Sequence, residues 1–296
     1  MEFRPFSVEL STRFRATTRR TGVLISTIAD DGTRRWGEYS PFPDYDAERA
    51  TRWWRSAMEA ARGEWPQAQR DSVATNSIVP LVGPDEARDF ATRGGCTTAK
   101  VKVGGGSDLA HDIARIEAVA DAVGPKGRIR VDVNGGWDLD EAIRCLPRLD
   151  AAARSAGGAG LQYAEQPVAS VEDLAHLRRN VEVPIAADES IRMPGTAQDV
   201  LRADAADVFI LKAQPLGGVR RALEIADSVG DRDVVVSSAM ESSVGLAAGL
   251  ALARALPREP LACGLGTGAL LATDTVAHTW LPAHGRMVPG TLEVIV

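Results

Sequence analysis

From about residue 72 onward, short apolar runs recur roughly every 25 to 30 residues: VATNSIVPLVG, TAKVKVGGG, RIRVDVNGG, GLQYAEQP, VPIAADES, ADVFILKAQPLGG, DVVVSSAMES and PLACGLGTG. Each is bounded by Gly, Pro, Asn, Asp or Ser, the residues that turn a chain, and most are rich in Val, Ile and Leu. Between them, residues 108–123, 140–154, 171–179, 197–203, 218–229 and 243–255 carry the amphipathic pattern of helices. Eight strands alternating with helices predict a (β/α)8 barrel of TIM type. An open doubly wound sheet would usually have fewer strands and a nucleotide fingerprint at its first turn.

The first 70 or so residues have a different texture. FSVELST, GVLISTIADDG and RRWGEYSPF alternate as an antiparallel meander, and a helix is expected over 47–63. The closing MVPGTLEVIV reads as one or two strands returning to this region. The expected organisation is a small α+β capping domain over 1–71, completed by 285–296, and a catalytic barrel over 72–284.

Charge disturbs this pattern in one place above all. In TTAKVKVGGG, Lys100 and Lys102 project from the same face of a strand whose other face carries Ala99, Val101 and Val103. Only four of the 34 basic residues are lysines, Lys100, Lys102, Lys126 and Lys212. A retained lysine is therefore a candidate for work that arginine, always protonated, does not do. Lys126 lies in the turn-like GPKGR and reads as solvated. Active sites of such barrels form at the C-terminal ends of the strands. That ring reads Lys100 and Lys102, then Asp132 and Asn134, Glu165, Asp188 and Glu189, and Lys212. One acid at a strand end is more often a cap or a solvated residue than a ligand. Charged groups on five consecutive apolar strands, cations at both ends and acids between, are much less easily accidental. Three converging carboxylates repel unless a cation lies between them, and an all-oxygen set suits Mg²⁺.

The remaining composition narrows the choices. A net charge of −6 gives no reason to expect nucleic acid. The N-terminus lacks an apolar core of signal-peptide length, and no run approaches the roughly 20 residues of a membrane span, so a cytoplasmic protein with no membrane partner is expected. Cys96, Cys145 and Cys263 are far apart and read as reduced, packed thiols. The four histidines lie away from the ring and are assigned no chemistry.

The ordered set K-x-K, D-x-N, E-Q-P, A-D-E-S and L-K resembles the muconate lactonizing enzyme subgroup of the enolase superfamily over nearly the whole chain. The resemblance implies Asp132, Glu165 and Asp188 as ligands of Mg²⁺, with Mn²⁺ able to substitute. It implies Lys102 and Lys212 as acid/base lysines on opposite faces of a small-molecule carboxylate, and Lys100 as an auxiliary that helps keep Lys102 neutral. A proton next to a carboxylate is very weakly acidic, and positioned acid/base groups contribute ~10² to 10⁴-fold in rate. Within the subgroup, the short cap and the segments SSAMESSVGLAAGLALA and GLGTG are similar to the branch that dehydrates a cyclohexadiene carboxylate to an aromatic acid. The nearest alternative is racemisation of N-succinylamino acids or epimerisation of dipeptides, which uses the same lysines. A Schiff-base aldolase would leave the three acids unexplained, and a binding scaffold would be expected to have lost a ligand or a lysine. Candidate substrate contacts are Asn134, Ser237 and Ser238, and the backbone at Gly264, whose loop could equally be a tight turn. A monomer is compatible with the sequence.

Overall fold

The computed structural model describes residues 1–14, 17–106, 108–155, 157–192 and 196–296. Three antiparallel strands, β1 (Glu2–Phe14), β2 (Thr17–Ile28) and β3 (Arg34–Tyr39), form the N-terminal sheet. Helix α1 (Ala47–Arg62) packs on it. Asp46 caps that helix by accepting from the Arg49 N–H, with Glu48 in its first turn and Arg62 in its last, each matching the helix dipole.

The second region begins with β4 (Val73–Ala74) and β5 (Ser77–Val79), then α2 (Pro84–Ala91), β6 (Thr98–Lys102), α3 (Leu109–Val123) and β7 (Arg128–Asp132). It continues through α4 (Leu139–Ser155), β8 (Leu161–Glu165), α5 (Val171–Asn180), β9 (Ile185–Ala187), α6 (Thr196–Arg202) and β10 (Val208–Leu211). Helices α7 (Ala213–Leu216) and α8 (Val219–Ser228), strand β11 (Asp233–Val236) and α9 (Ser243–Ala255) follow, and β12 (Arg286–Met287) lies near the C-terminus. Strands β5 to β11 form one sheet in chain order, parallel at every junction.

The eighth predicted run closes this sheet into a barrel as a short extended segment. Gly264 N–H bonds to Val236 O on one side, and Cys263 N–H bonds to Ala74 O on the other. Isolated parallel bridges Ser237–Gly264 and Thr75–Cys263 mark the two seams. The first predicted run divides in two, because Val73–Ala74 pairs antiparallel with Arg286–Met287 while Ser77–Val79 pairs parallel with β6. The C-terminal tail therefore finds its strand partner at the start of the barrel, not in the N-terminal meander. Its last residues bridge back through Val276–Val294, and Leu292 and Val294 pack on Phe6, Val8, Leu24 and Trp36. All three cysteines are buried and free.

Val101 and Val103 are fully buried in the layer between strands and helices, leaving Lys100 and Lys102 to face the barrel interior. Tyr163, Ala186, Val208, Ile210 and Val235 fill that interior with apolar contact. No described helix is long and apolar enough to cross a membrane.

Candidate active site

The parallel register brings the charged strand ends to one level. Lys102 pairs with Asp132 across β6 and β7, and Asp132 pairs with Glu165 across β7 and β8. Asp188 follows β9 directly and Lys212 follows β10. All five were expected in one ring, and the fold places them there.

Two cations bind the acids from opposite sides. Lys100 Nζ donates to Asp132 Oδ2 and to Glu165 Oε1, each at 2.9 Å. Lys212 Nζ donates to Asp188 Oδ2 at 2.6 Å. Lys102 Nζ lies 3.9 Å from Asp132 Oδ1 and donates to Asn134 Oδ1. One carboxylate, Asp132, thus stands between the two ammonium groups of β6, so their repulsion is screened by a shared counter-charge.

The electrostatics of the acids follow from this sharing. Burial pushes Glu165 upward and the neighbouring Asp132 and Asp188 charges add to it, so its pKa is raised to about 7 against the opposing lysines. Burial also pushes Asp188 upward, but Arg192 and Lys212 overcome it and hold the carboxyl well below the usual range. Asp132 is likewise lowered, its burial outweighed by Lys100 and Lys102. Burial lowers Lys100, yet Asp132 and Glu165 raise it well above an ordinary lysine.

Sequence reasoning missed Arg192. It forms a fork on Asp188, with Nε donating to Oδ1 at 3.0 Å and Nη2 to Oδ2, and Nη1 reaches the Tyr45 hydroxyl at 3.3 Å. A 3₁₀ turn, Glu189–Ile191, brings the arginine back over the acid four residues earlier. Arg52 of α1 in turn donates to Arg192 O, so the N-terminal region touches the site on this side.

Asn134 occupies the left-handed region at φ 51°, and its Nδ2 donates to Glu189 Oε1 at 3.2 Å. Ser237 and Ser238 are buried at the end of β11, where Ser238 Oγ lies 2.7 Å from Thr267 Oγ1 and Ser237 Oγ donates to Gly264 O at 3.4 Å. The expected role of Gly264 needs correction. Its N–H closes the barrel by bonding Val236 O, so it is not available to a ligand. The absence of a side chain is what the position requires, since a Cβ there would lie 2.5 Å from Ser237 Oγ.

The donor chemistry fits a hard divalent cation: three buried carboxylates from consecutive strand ends, with burial first and the neighbouring Asp132 and Asp188 charges second in raising Glu165. In the geometry described, Lys100, Lys212 and Arg192 balance the same charge. Among the described residues, no three acids, histidines or cysteines stand in ready ligating positions.

Comparison with known proteins agrees with this architecture. Residues 84–291 match the family model "Enolase C-terminal domain-like" and residues 6–61 match "Enolase N-terminal domain-like". The chain is 52% identical to an o-succinylbenzoate synthase of Thermobifida fusca, over 99% of this chain and 89% of the relative. It is 46% identical to an o-succinylbenzoate synthase of Mycolicibacterium smegmatis, over 94% and 83% respectively. Among solved structures, the L-Ala-D/L-Glu epimerase of Bacillus subtilis superposes with a TM-score of 0.81 at 23% identity, covering 99% of this chain and 96% of that one. Muconate lactonizing enzyme of Pseudomonas putida superposes at 0.78 with 21% identity, covering 99% and 95%. At those identities the two structures speak for the fold. With the family models spanning both regions and relatives near half identity over almost its full length, the chain belongs to the enolase superfamily, in the family of the o-succinylbenzoate synthases.

Proposed function

We propose that this chain catalyses the o-succinylbenzoate synthase reaction, dehydrating 2-succinyl-6-hydroxy-2,4-cyclohexadiene-1-carboxylate to 2-succinylbenzoate in menaquinone biosynthesis. The observation that carries the reading is a pair of lysines, Lys102 and Lys212, on opposite sides of a buried carboxylate triad. That placement supplies a base on one face of a substrate carboxylate and a fixed cation on the other.

In the proposed sequence, the Lys102 amine accepts the proton from the carbon bearing the carboxylate, and the electron pair moves onto the carboxylate oxygens. Lys212, held as an ammonium against Asp188, faces the resulting enediolate from the far side. The electron pair then returns, the ring C–O bond breaks, and Lys102 gives its proton to the departing hydroxyl on the same face. The products are water and an aromatic ring, and aromatisation supplies much of the driving force. Asn134 accepts from Lys102 and orients it, and Lys100 supports the site by neutralising Asp132 and Glu165. The Ser237 and Ser238 wall is where the succinyl chain would lie. Asp132, Glu165 and Asp188 would hold Mg²⁺, with Mn²⁺ able to substitute, a Lewis acid that stabilises negative charge on the substrate carboxylate.

The cellular setting proposed with this activity is the cytoplasm, and a monomer is compatible with it. Its cap would span 1–71 with 285–296, and its barrel 72–284. The purified protein should turn over the cyclohexadiene substrate, lose activity to a chelator, and regain it with Mg²⁺. Brisk racemisation of N-succinylamino acids with negligible dehydration would replace the proposed reaction.

A further inference from the structure

Behind the Lys102 strand end lies a buried ion pair that takes no direct part in the proposed proton transfers. Asp112 and Arg115 sit one turn apart on α3, with side chains only 2% and 6% exposed. Arg115 Nη1 donates to Asp112 Oδ1 at 2.6 Å. The pair also bonds backbone groups at the barrel rim. Arg115 Nη1 donates to Lys102 O at 3.2 Å, Arg115 Nε donates to Val82 O at 2.7 Å, and Gly104 N–H donates to Asp112 Oδ2 at 2.8 Å.

These bonds grip the chain on both sides of one peptide turn. Lys102 O and Gly104 N–H flank Val103, whose own N–H bonds to Asp132 O. Gly104 turns at φ 68°, and a Cβ there would meet Trp137 Nε1 at 2.9 Å, so the turn is packed from outside as well. Val82 belongs to the loop leaving the neighbouring strand, so one guanidinium ties two adjacent strand ends together. A buried ion pair is a weak source of stability compared with apolar packing of the same volume. Its distinctive product here is a fixed backbone under Lys102, whose flexible four-carbon stem could otherwise let the ammonium wander.

We infer that Asp112 and Arg115 are positioning residues for the reaction: a clamp on α3 that fixes the Lys102–Gly104 backbone, and so aims the Lys102 amine at the substrate proton. The inference rests on the role proposed for Lys102.

The test compares Arg115→Lys and Asp112→Asn with the wild type, using substrate carrying protium or deuterium at the carbon that loses its proton. Arg115→Lys keeps the charge and loses the planar fork. Asp112→Asn keeps an acceptor for Gly104 and loses the ion pair. A displaced base predicts a fall in kcat approaching about 10²-fold, a KM within about threefold, and a larger deuterium isotope effect on kcat as proton removal becomes slower. Asp112→Asn, the milder change, should fall between Arg115→Lys and the wild type. Unchanged kcat and isotope effect in either folded variant, even with a lowered Tm, would reduce the pair to structural support and overturn the inference. If the wild type racemises N-succinylamino acids and does not dehydrate, the same comparison is made on that substrate, and the clamp stands or falls separately from the choice of reaction. A wild type that turns over neither substrate overturns both.

Discussion

The two lysine walls of the site are built differently. Lys102 is 27% exposed along its side chain, ends a strand that runs into three glycines, and takes its nearest oxygen from the exposed Asn134. Lys212 is 8% exposed and bonded to the fully buried Asp188, with Gln214 and Glu241 buried on the segments beside it. A group that takes up a proton and hands it to departing water must work where water can leave. A group that remains a cation gains from burial beside a permanent carboxylate, because attraction strengthens as the effective dielectric falls. The contrast teaches that two identical side chains are given separate surroundings, one open enough for proton exchange and one suited to a fixed charge.

The sharpest way to break this contrast is to remove each lysine in turn. Lys102→Ala should reduce kcat by ~10² to 10⁴-fold and leave the denaturant midpoint near that of the wild type, since Asn134 and Asp132 lose only a partly exposed partner. Lys212→Ala should also abolish most turnover, and in addition destabilise the fold by about 1–3 kcal/mol, because Asp188 would keep Arg192 alone. Near-normal activity in either variant would end the two-lysine mechanism, and equal stability of the two would erase the proposed asymmetry.

The Lys212 wall is also braced by the N-terminal region. Glu38 of β3 is buried and accepts from Ser40 Oγ at 2.6 Å and from Gly245 N–H at 2.9 Å, the latter in the first turn of α9. Ser242, the residue that caps α9, also donates to it. Burial raises the Glu38 carboxyl to about 7, with Glu241 adding to the rise and the serine donors opposing it. Between the unfolded value of 4.5 and about 7 the folded state holds a proton that the unfolded chain has released. Stability from this group therefore falls as pH rises through that window, by on the order of 3 kcal/mol across it. Glu38→Gln should flatten the difference in unfolding free energy between pH 5 and pH 7.5; an unchanged slope would mean that Glu38 ionises freely in the fold.

The smallest effect is expected at the Lys102 mouth. Asn134→Ala removes one exposed acceptor and should lower kcat about fivefold, the equivalent of a hydrogen bond worth about 1 kcal/mol. A loss as large as that of Lys102→Ala would show Asn134 to be more than an orienting contact.

Much of this was legible before any coordinates. Lys100, Asp132, Glu165, Asp188 and Lys212 stand out because strand ends surrounded by Val, Ile and Ala are poor places for unpaired charge, and because alternation along a strand fixes the face each occupies. Arg192 was not legible, since its relation to Asp188 depends on a 3₁₀ turn that leaves no periodic mark. Asp112 and Arg115 were hidden for the opposite reason. An acid and a base three residues apart on an amphipathic helix have the appearance of an ordinary solvated pair, and only packing shows them to be buried. The eighth strand was visible as PLACGLGTG, but its weak, two-bridge seam was not, because closure depends on partners at Ala74 and Val236 far away in the chain.

The bond from Glu38 to the start of α9 has a consequence for how the protein is made. Glu38 emerges from the ribosome early, whereas Ser242 and Gly245 follow it by 204 and 207 residues. Its carboxyl cannot reach its final donors until almost the entire barrel has been translated. Contacts of such long sequence separation are closed late and at high entropic cost. The N-terminal sheet should therefore remain incompletely docked through most of synthesis, and a nascent chain halted before residue 242 should leave it accessible to protease.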